Sequence, residues 1–62
     1  MNKPIARLAV IKPHRGRYFA VHYRNIELEV DCWRNYIPTL QEAVSIAESI
    51  VGPNGKVKVE VG

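Results

Sequence analysis

Residues 39–52 read TLQEAVSIAESIVG and have the pattern of a helix. The segments before and after it alternate as strands do, so the position of this helix decides the fold. Thr39 followed by Glu42 is typical of a helix start, in which the threonine hydroxyl accepts a hydrogen bond from the glutamate amide. Apolar side chains then recur at the spacing of one helical face: Leu40, Ala43, Val44, Ala47, Ile50 and Val51. Gly52 and Pro53 end the helix, since proline cannot continue it.

Strand patterns lie on both sides of this helix. Four are present, three before the helix and one after it, at residues 8–11, 17–23, 26–32 and 56–61. The stretch 26–32 alternates strictly between apolar and polar side chains, as expected of a strand with one buried face. Residues 13–16 contain proline and glycine and predict the first turn, and Asn54-Gly55 predicts the last.

The connection between the second and third strands sets their predicted register. Arg24-Asn25 forms the tip of a two-residue hairpin, which places Tyr23 opposite Ile26. The apolar members of the third strand then face the core: Ile26, Leu28, Val30 and Cys32. Its acidic members face outward, with Glu27 opposite His22 and Asp31 opposite Tyr18, and Glu29 between them.

These elements predict a single α+β domain over residues 1–62 with the order β-β-β-α-β. One helix covers one face of a four-stranded, mainly antiparallel sheet, which makes a two-layer sandwich. Because the chain must return along the sheet after the helix, we expect the last strand parallel to the first, in the order 3-2-1-4. Residues 33–38 are a connector whose Trp33, Tyr36 and Ile37 fold over one end of the core.

The composition limits the classes of protein to which this chain can belong. An apolar content of 47% is normal for a globular domain, and 62 residues is near the lower limit for folding alone. The single cysteine, Cys32, excludes an internal disulfide and favours the reducing cytoplasm. Apolar runs are too short for a signal peptide or a membrane span, so no membrane partner is expected.

Charge divides the chain into two unequal parts. The first 24 residues contain six basic side chains and no acidic one, whereas the remaining 38 contain three basic and six acidic. Such an asymmetry indicates a basic surface directed at an acidic partner, for which nucleic acid is the commonest class.

The predicted first turn is the leading candidate for that surface. The candidate binding residues are Lys12, His14, Arg15 and Arg17, supported by Arg7 and Arg24, with Lys56 and Lys58 able to widen the patch. Clustered guanidinium groups on a protruding loop suit phosphate oxygens, which they bind bidentately. The alternative is a solvated loop that keeps a small protein soluble. The outer sheet face is a weaker candidate, because the acidic third strand lies on it.

A second candidate surface lies in the connector. Trp33, Arg34 and Tyr36 combine aromatic and basic side chains as protein-binding hot spots do. The alternative interpretation is that the two aromatic residues cap the core.

Enzyme chemistry has little support in the sequence. Cys32 is predicted to point inward and His22 outward, so the pair needed for a cysteine nucleophile does not form. The histidines and the single cysteine lack the spacing of a zinc site, and no glycine-rich phosphate loop is present. We therefore expect a non-enzymatic protein with no catalytic residues, no metal site and no cofactor.

The stretch Gly16-Arg17-Tyr18-Phe19-Ala20-Val21, together with Thr39-Leu40-Gln41-Glu42-Ala43, resembles two related patterns. One is the three-strand-plus-helix DNA-binding domain of plant ethylene-response factors and of the arm-binding domain of tyrosine integrases. The other is a bacterial family of small proteins of unknown function, which adds a strand after the helix. The resemblance implies the β-β-β-α-β fold and, in the first case, DNA binding.

The leading hypothesis is a small binding module that contacts an acidic partner, nucleic acid above all, through its basic first hairpin. The alternative is a protein-interaction factor, such as a phage-type accessory or inhibitory protein. That factor would dock through a strand edge, the helix face or the connector aromatics. A homodimer is compatible with the alternative, because so small a core gains from a second copy.

Overall fold

The computed structural model of the protein describes residues 4–60. Its elements are β1 (Leu8–His14), β2 (Tyr18–Asn25), β3 (Val30–Ile37), α1 (Leu40–Val51) and β4 (Lys56–Val59). The strands form one sheet in the order β3-β2-β1-β4. The predicted α+β class, the element order and the strand order are confirmed.

The direction of β4 follows from the helix. β1 pairs antiparallel with β2, and β2 pairs antiparallel with β3. α1 carries the chain back along the sheet, so that β4 lies beside β1 and parallel to it. The parallel pairing of the last strand with the first is as predicted.

α1 packs on the sheet through small residues. Ala43 and Ala47 are fully buried, which lets the helix lie close to the strands. Beneath the helix, the two central strands contribute Ile11 and Val21, the largest fully buried side chains of the described chain. The rest of the buried cluster consists of Ala6, Ala9, Ile37, Ile50 and Val51. Leu40, predicted on the buried stripe, is 38% exposed, because the core residues of α1 begin one turn later.

Both ends of α1 lie where the sequence predicts them. At the N-terminus, Thr39 Oγ1 accepts a hydrogen bond from the amide of Glu42 at 3.1 Å. At the C-terminus, Gly52 has a φ of 72°, and its amide donates to the carbonyl oxygen of Glu48 at 2.9 Å. Glycine adopts this left-handed conformation without steric cost, which ends the helix.

β1 extends beyond its predicted end, because it includes Pro13 and His14. Proline has no amide proton, so a central strand normally excludes it. The pairing of β4 with β1 ends with Val59 opposite Ile11, whose carbonyl accepts from the Glu60 amide at 2.7 Å. Backbone groups of a strand alternate in direction, so the nitrogen of Pro13, two residues after Ile11, also points toward the β4 side. The pairing with β4 has ended by this position, so the missing amide proton of Pro13 costs the sheet no hydrogen bond.

The β2–β3 connection differs from the prediction. β2 continues to Asn25, and residues 26–29 form a longer turn. The predicted two-residue tip needs positive φ at both Arg24 and Asn25, and neither is glycine. Instead, Asn25 Oδ1 accepts hydrogen bonds from the amides of Glu27 at 3.0 Å and Leu28 at 2.8 Å, which holds the longer turn.

The longer turn changes every predicted pair between β2 and β3. The observed pairs include Tyr23–Cys32, His22–Trp33 and Arg24–Asp31, in place of Tyr23–Ile26, His22–Glu27 and Tyr18–Asp31. The predicted core side chains of the third strand are therefore outside the core. Ile26, Leu28 and Val30 are exposed, Leu28 at 68%, and Cys32 is half-buried.

A β-bulge interrupts the pairing of β3 with β2. Phe19 pairs with Ile37 and Val21 pairs with Arg34, so β3 has one more residue than β2 in this interval. Tyr36 lies in the bulge with a φ of 60°. The extra residue places Ile37 on the core face of the sheet, where it is buried.

Residues 33–38, predicted as a connector, are thus mostly strand. Ile37 joins the core as expected. Trp33 and Tyr36 are exposed and do not cover the end of the core. The predicted last strand, 56–61, is observed as Lys56–Val59, and Val61 lies outside the described residues.

Substitution of Gly55 tests how closely β4 approaches the helix. A Cβ atom there would collide with the Val51 side chain and lie 2.5 Å from its carbonyl oxygen. We expect Gly55→Ala to lower the free energy of unfolding by about 1–3 kcal/mol, the usual cost of overpacking. Urea unfolding followed by circular dichroism measures this loss. Ser45→Ala, at an exposed helix position, is the control, and equal stability of the two variants would contradict the prediction.

Substitution of Asn25 tests the β2–β3 turn. Asn25→Ala leaves two amides of the turn without their acceptor, so we expect a loss of about 1 kcal/mol. Amide hydrogen exchange should also accelerate at Leu28. Asn54→Ala is the matched control, because the Asn54 side chain makes no hydrogen bond within residues 4–60. Unchanged exchange at Leu28 would show that the asparagine does not hold the turn.

Candidate functional site

The face of the sheet opposite α1, here called the open face, has a defined set of side chains. Cross-strand neighbours share a face, and successive residues alternate between faces. From the observed registers, and with Tyr36 added by the bulge, the open face consists of Leu8, Val10, Lys12, His14, Tyr18, Ala20, His22, Arg24, Asp31, Trp33, Tyr36, Lys56 and Lys58. Basic and aromatic side chains predominate on it.

The predicted acidic stripe on this face is wrong. Glu27 and Glu29 lie in the 26–29 turn, because β3 begins after them. Asp31 remains on the open face, where its Oδ1 atom lies 3.3 Å from the guanidinium of Arg24. The register shift therefore removes two of the three carboxylates that argued against this face as a binding surface.

Each carboxylate at the open face has a cationic neighbour. Arg24 binds Asp31 and also donates to the carbonyl oxygen of Glu29 at 3.1 Å, so its guanidinium is held in place. Glu60, just after β4, lies 3.8 Å from the ammonium of Lys58. Lys12 and Lys56 make no ion pair within residues 4–60, so their charges are not offset there.

Two groups of aromatic rings lie on the open face. His22 and Trp33 are cross-strand neighbours with ring centroids 5.5 Å apart and planes inclined by 31°. The bulge brings Tyr36 to the same face. Its ring centroid lies 4.6 Å from that of His14 and 5.3 Å from that of Tyr18, and both contacts are edge to face. These contacts depend on the register and on the bulge, and no local sequence motif signals them.

The turn between β1 and β2, residues 15–17, is here called the basic turn. Arg15 and Arg17 are both exposed in it, and Arg15 and Gly16 have φ values of 51° and 72°. Lys12 and His14 lead into this turn from β1. His14 is half-buried against Tyr36, and its Nε2 atom has no hydrogen-bond partner in the described chain.

Arg7 and Arg24 lie at the other end of the sheet. Ala9 pairs with Tyr23, so Arg24 lies beside Leu8, one residue from Arg7. The seven residues of β1 separate this end from the basic turn, a distance of roughly 20 Å at about 3.3 Å per residue. The candidate residues therefore occupy two ends of one molecule. Lys12 and Lys58 lie between them along the sheet, and Lys56 lies at the Arg7 end.

Trp33, Arg34 and Tyr36 do not form one surface. Trp33 and Tyr36 lie on the open face, in the two separate aromatic groups. Arg34 pairs with Val21 of the core, so it projects from the helix side of the sheet, where it is exposed. The three residues are close in sequence, but the sheet separates Arg34 from the two aromatic residues.

The described chain offers few side chains for metal binding or for catalysis by a cysteine nucleophile. Residues 4–60 contain no group of three or more histidine, cysteine, aspartate or glutamate side chains able to hold a metal ion. Cys32 and His22 lie on opposite faces of the sheet, as expected from the sequence, although Cys32 is half-buried rather than in the core. No helix in this part of the chain is long and apolar enough to cross a bilayer.

Comparison of the chain with protein-family models, with curated proteins and with solved structures finds no match.

Proposed function

We propose that this protein is a nucleic-acid-binding module that contacts the phosphate backbone with the open face and the basic turn. Lys12, Lys56 and the arginines of the basic turn supply the principal phosphate contacts. Their ammonium and guanidinium groups attract phosphates over several ångströms and bind them by charge-assisted hydrogen bonds.

The observation that supports this proposal is the separation of charge between the two layers. α1 contains no lysine or arginine, and its exposed acids are Glu42 and Glu48. The open face contains lysine and arginine from three strands, and its carboxylates are paired with cations. A polyanion approaching the molecule is therefore attracted to the sheet side and repelled from the helix side.

Residues Arg15 and Arg17 extend this surface beyond the sheet. Both are exposed in the turn that joins the antiparallel strands β1 and β2. Arginine at such a site binds phosphate bidentately while the strands hold the turn in place. The phosphate path therefore runs along β1, from the basic turn toward Lys56.

Removal of open-face lysines tests this function. We expect the wild-type protein to bind labelled mixed-sequence DNA or RNA at low salt, with affinity falling steeply as salt rises. The double variant Lys12→Ala, Lys56→Ala should bind more weakly and reduce the salt slope by about 0.7 per lost contact on single strands. Fluorescence anisotropy at several salt concentrations measures both quantities.

Arg34→Ala is the matched control, because it removes a cation from the helix side of the sheet. It should leave affinity and slope almost unchanged. Absence of binding to both nucleic acids at low salt would refute the proposed function. Equal weakening by the lysine variant and by Arg34→Ala would refute the assignment to the open face.

A second candidate function is self-association through the β2–β3 turn, favoured by its exposed apolar side chains. Ile26, Leu28 and Val30 lie together around this turn, and β3 is an edge strand whose backbone can pair with another strand. A second copy of the chain would supply the same apolar surface and the same edge, as a twofold interface requires.

Light scattering after size-exclusion chromatography tests this second candidate. We expect the mass to rise above the 7.0 kDa of one chain as concentration increases. Leu28→Glu should abolish that rise because it places a charge in the contact. Ser45→Glu, on the helix face, should not. A monomer at every concentration would exclude self-association.

A further inference from the structure

A shallow groove lies at the end of the open face farthest from the basic turn. Its volume is about 460 Å³, within the range of small-molecule sites. Its uncharged lining consists of Leu8, Val10, His22, Tyr23, Ile26, Cys32 and Trp33. A volume of this size accommodates one flat ring system but not a protein domain.

The aromatic wall of this groove is Trp33 with His22. The ring centroids are 5.5 Å apart and the planes are inclined by 31°, a tilted, offset packing in which His22 supports the indole from one side. The indole is 57% exposed although it is the largest apolar side chain on this face. Stacking of another π system on an exposed indole is favourable, because it removes apolar surface of the indole from water.

Two cations and one carboxylate line the groove, and the carboxylate, Asp31, is paired with Arg24. Arg7 and Arg24 line it, and Arg24 is held by Asp31 and by the Glu29 carbonyl oxygen. Lys56 is close, because its amide donates to the Arg7 carbonyl oxygen at 3.0 Å and it pairs with Leu8. The groove therefore combines an apolar aromatic surface with positive charge at its margin, as a nucleotide requires.

We infer that this groove binds an unstacked base of a single-stranded nucleic acid. The inference rests on the proposed function and adds which form of nucleic acid is bound. The base stacks on Trp33, and the flanking phosphates contact Arg7 and Lys56. Bases in a duplex are already stacked and paired, so they do not enter such a groove. The protein should accordingly prefer single strands.

The test compares a mixed-sequence single strand of 15 nucleotides, as DNA and as RNA, with the duplex of the same sequence. We expect at least one single strand to bind about tenfold or more tightly than the duplex. Trp33→Ala should weaken single-strand binding about 10- to 100-fold, the effect of losing one base–aromatic stack. Its salt slope should stay unchanged, because no phosphate contact is lost. Trp33→Phe should restore most of the affinity.

Leu40→Ala is the control, because it removes an exposed apolar side chain of the helix that does not line the groove. It should bind single strands as the wild type does. A second measurement uses the unmodified protein, whose only tryptophan is Trp33. Its fluorescence should change on addition of the single strand, and acrylamide should then quench it less.

Three outcomes would overturn the inference. Equal binding of duplex and single strand, with Trp33→Ala without effect, would leave the phosphate-binding function intact and remove the base site. Failure of every nucleic acid to bind would remove both. Shielding of Trp33 from acrylamide at rising protein concentration, without oligonucleotide, would assign the groove to a second copy of the chain.

Discussion

The burial of one helical face on one side of the sheet is the constraint on which the structure depends. Ala43 and Ala47 bring α1 close to the central strands, where Ile11 and Val21 fill the space beneath it. One helix of 12 residues covers a single face of four strands. The other face therefore has no layer within the described chain, and its side chains are available for contact with a partner.

The side chains on that open face separate into two kinds of chemistry. The lysines and the arginines of the basic turn supply charge, which acts over distance and weakens with salt. The His22–Trp33 pair and the groove beside it supply an apolar aromatic surface, which acts only in contact. A single-stranded nucleic acid presents both complementary features, phosphate and exposed base, along one chain. In the proposed function, the acidic helix face, with Glu42 and Glu48, would repel such a partner and so favour its approach to the sheet.

In the β2–β3 hairpin, the alternation of apolar and polar residues predicted the wrong turn. Residues 26–32 alternate as a strand should, yet residues 26–29 are a turn and Leu28 is exposed. The two-residue tip would need positive φ at Arg24 and Asn25, whereas the longer turn is held by the Asn25 side chain. Pairing with β2 then extends through Ile37, which the bulge at Tyr36 places in the core. Side-chain hydrogen bonds and the packing of distant residues decide which of the two turns forms. The apolar–polar periodicity of the sequence contains neither of these effects.

The sequence by itself determined the helix with both of its ends, the α+β class and the strand order, because capping residues, helical spacing and the need to return along the sheet are local or topological constraints. It also placed Arg15 in the turn after the first strand, although it assigned Arg17 to the second strand rather than to that turn. Only the tertiary structure decided which residues share the open face. A change in one turn transfers Glu27 and Glu29 off the sheet and brings Trp33 beside His22. Faces depend on register, and register is a property of paired strands rather than of either strand alone.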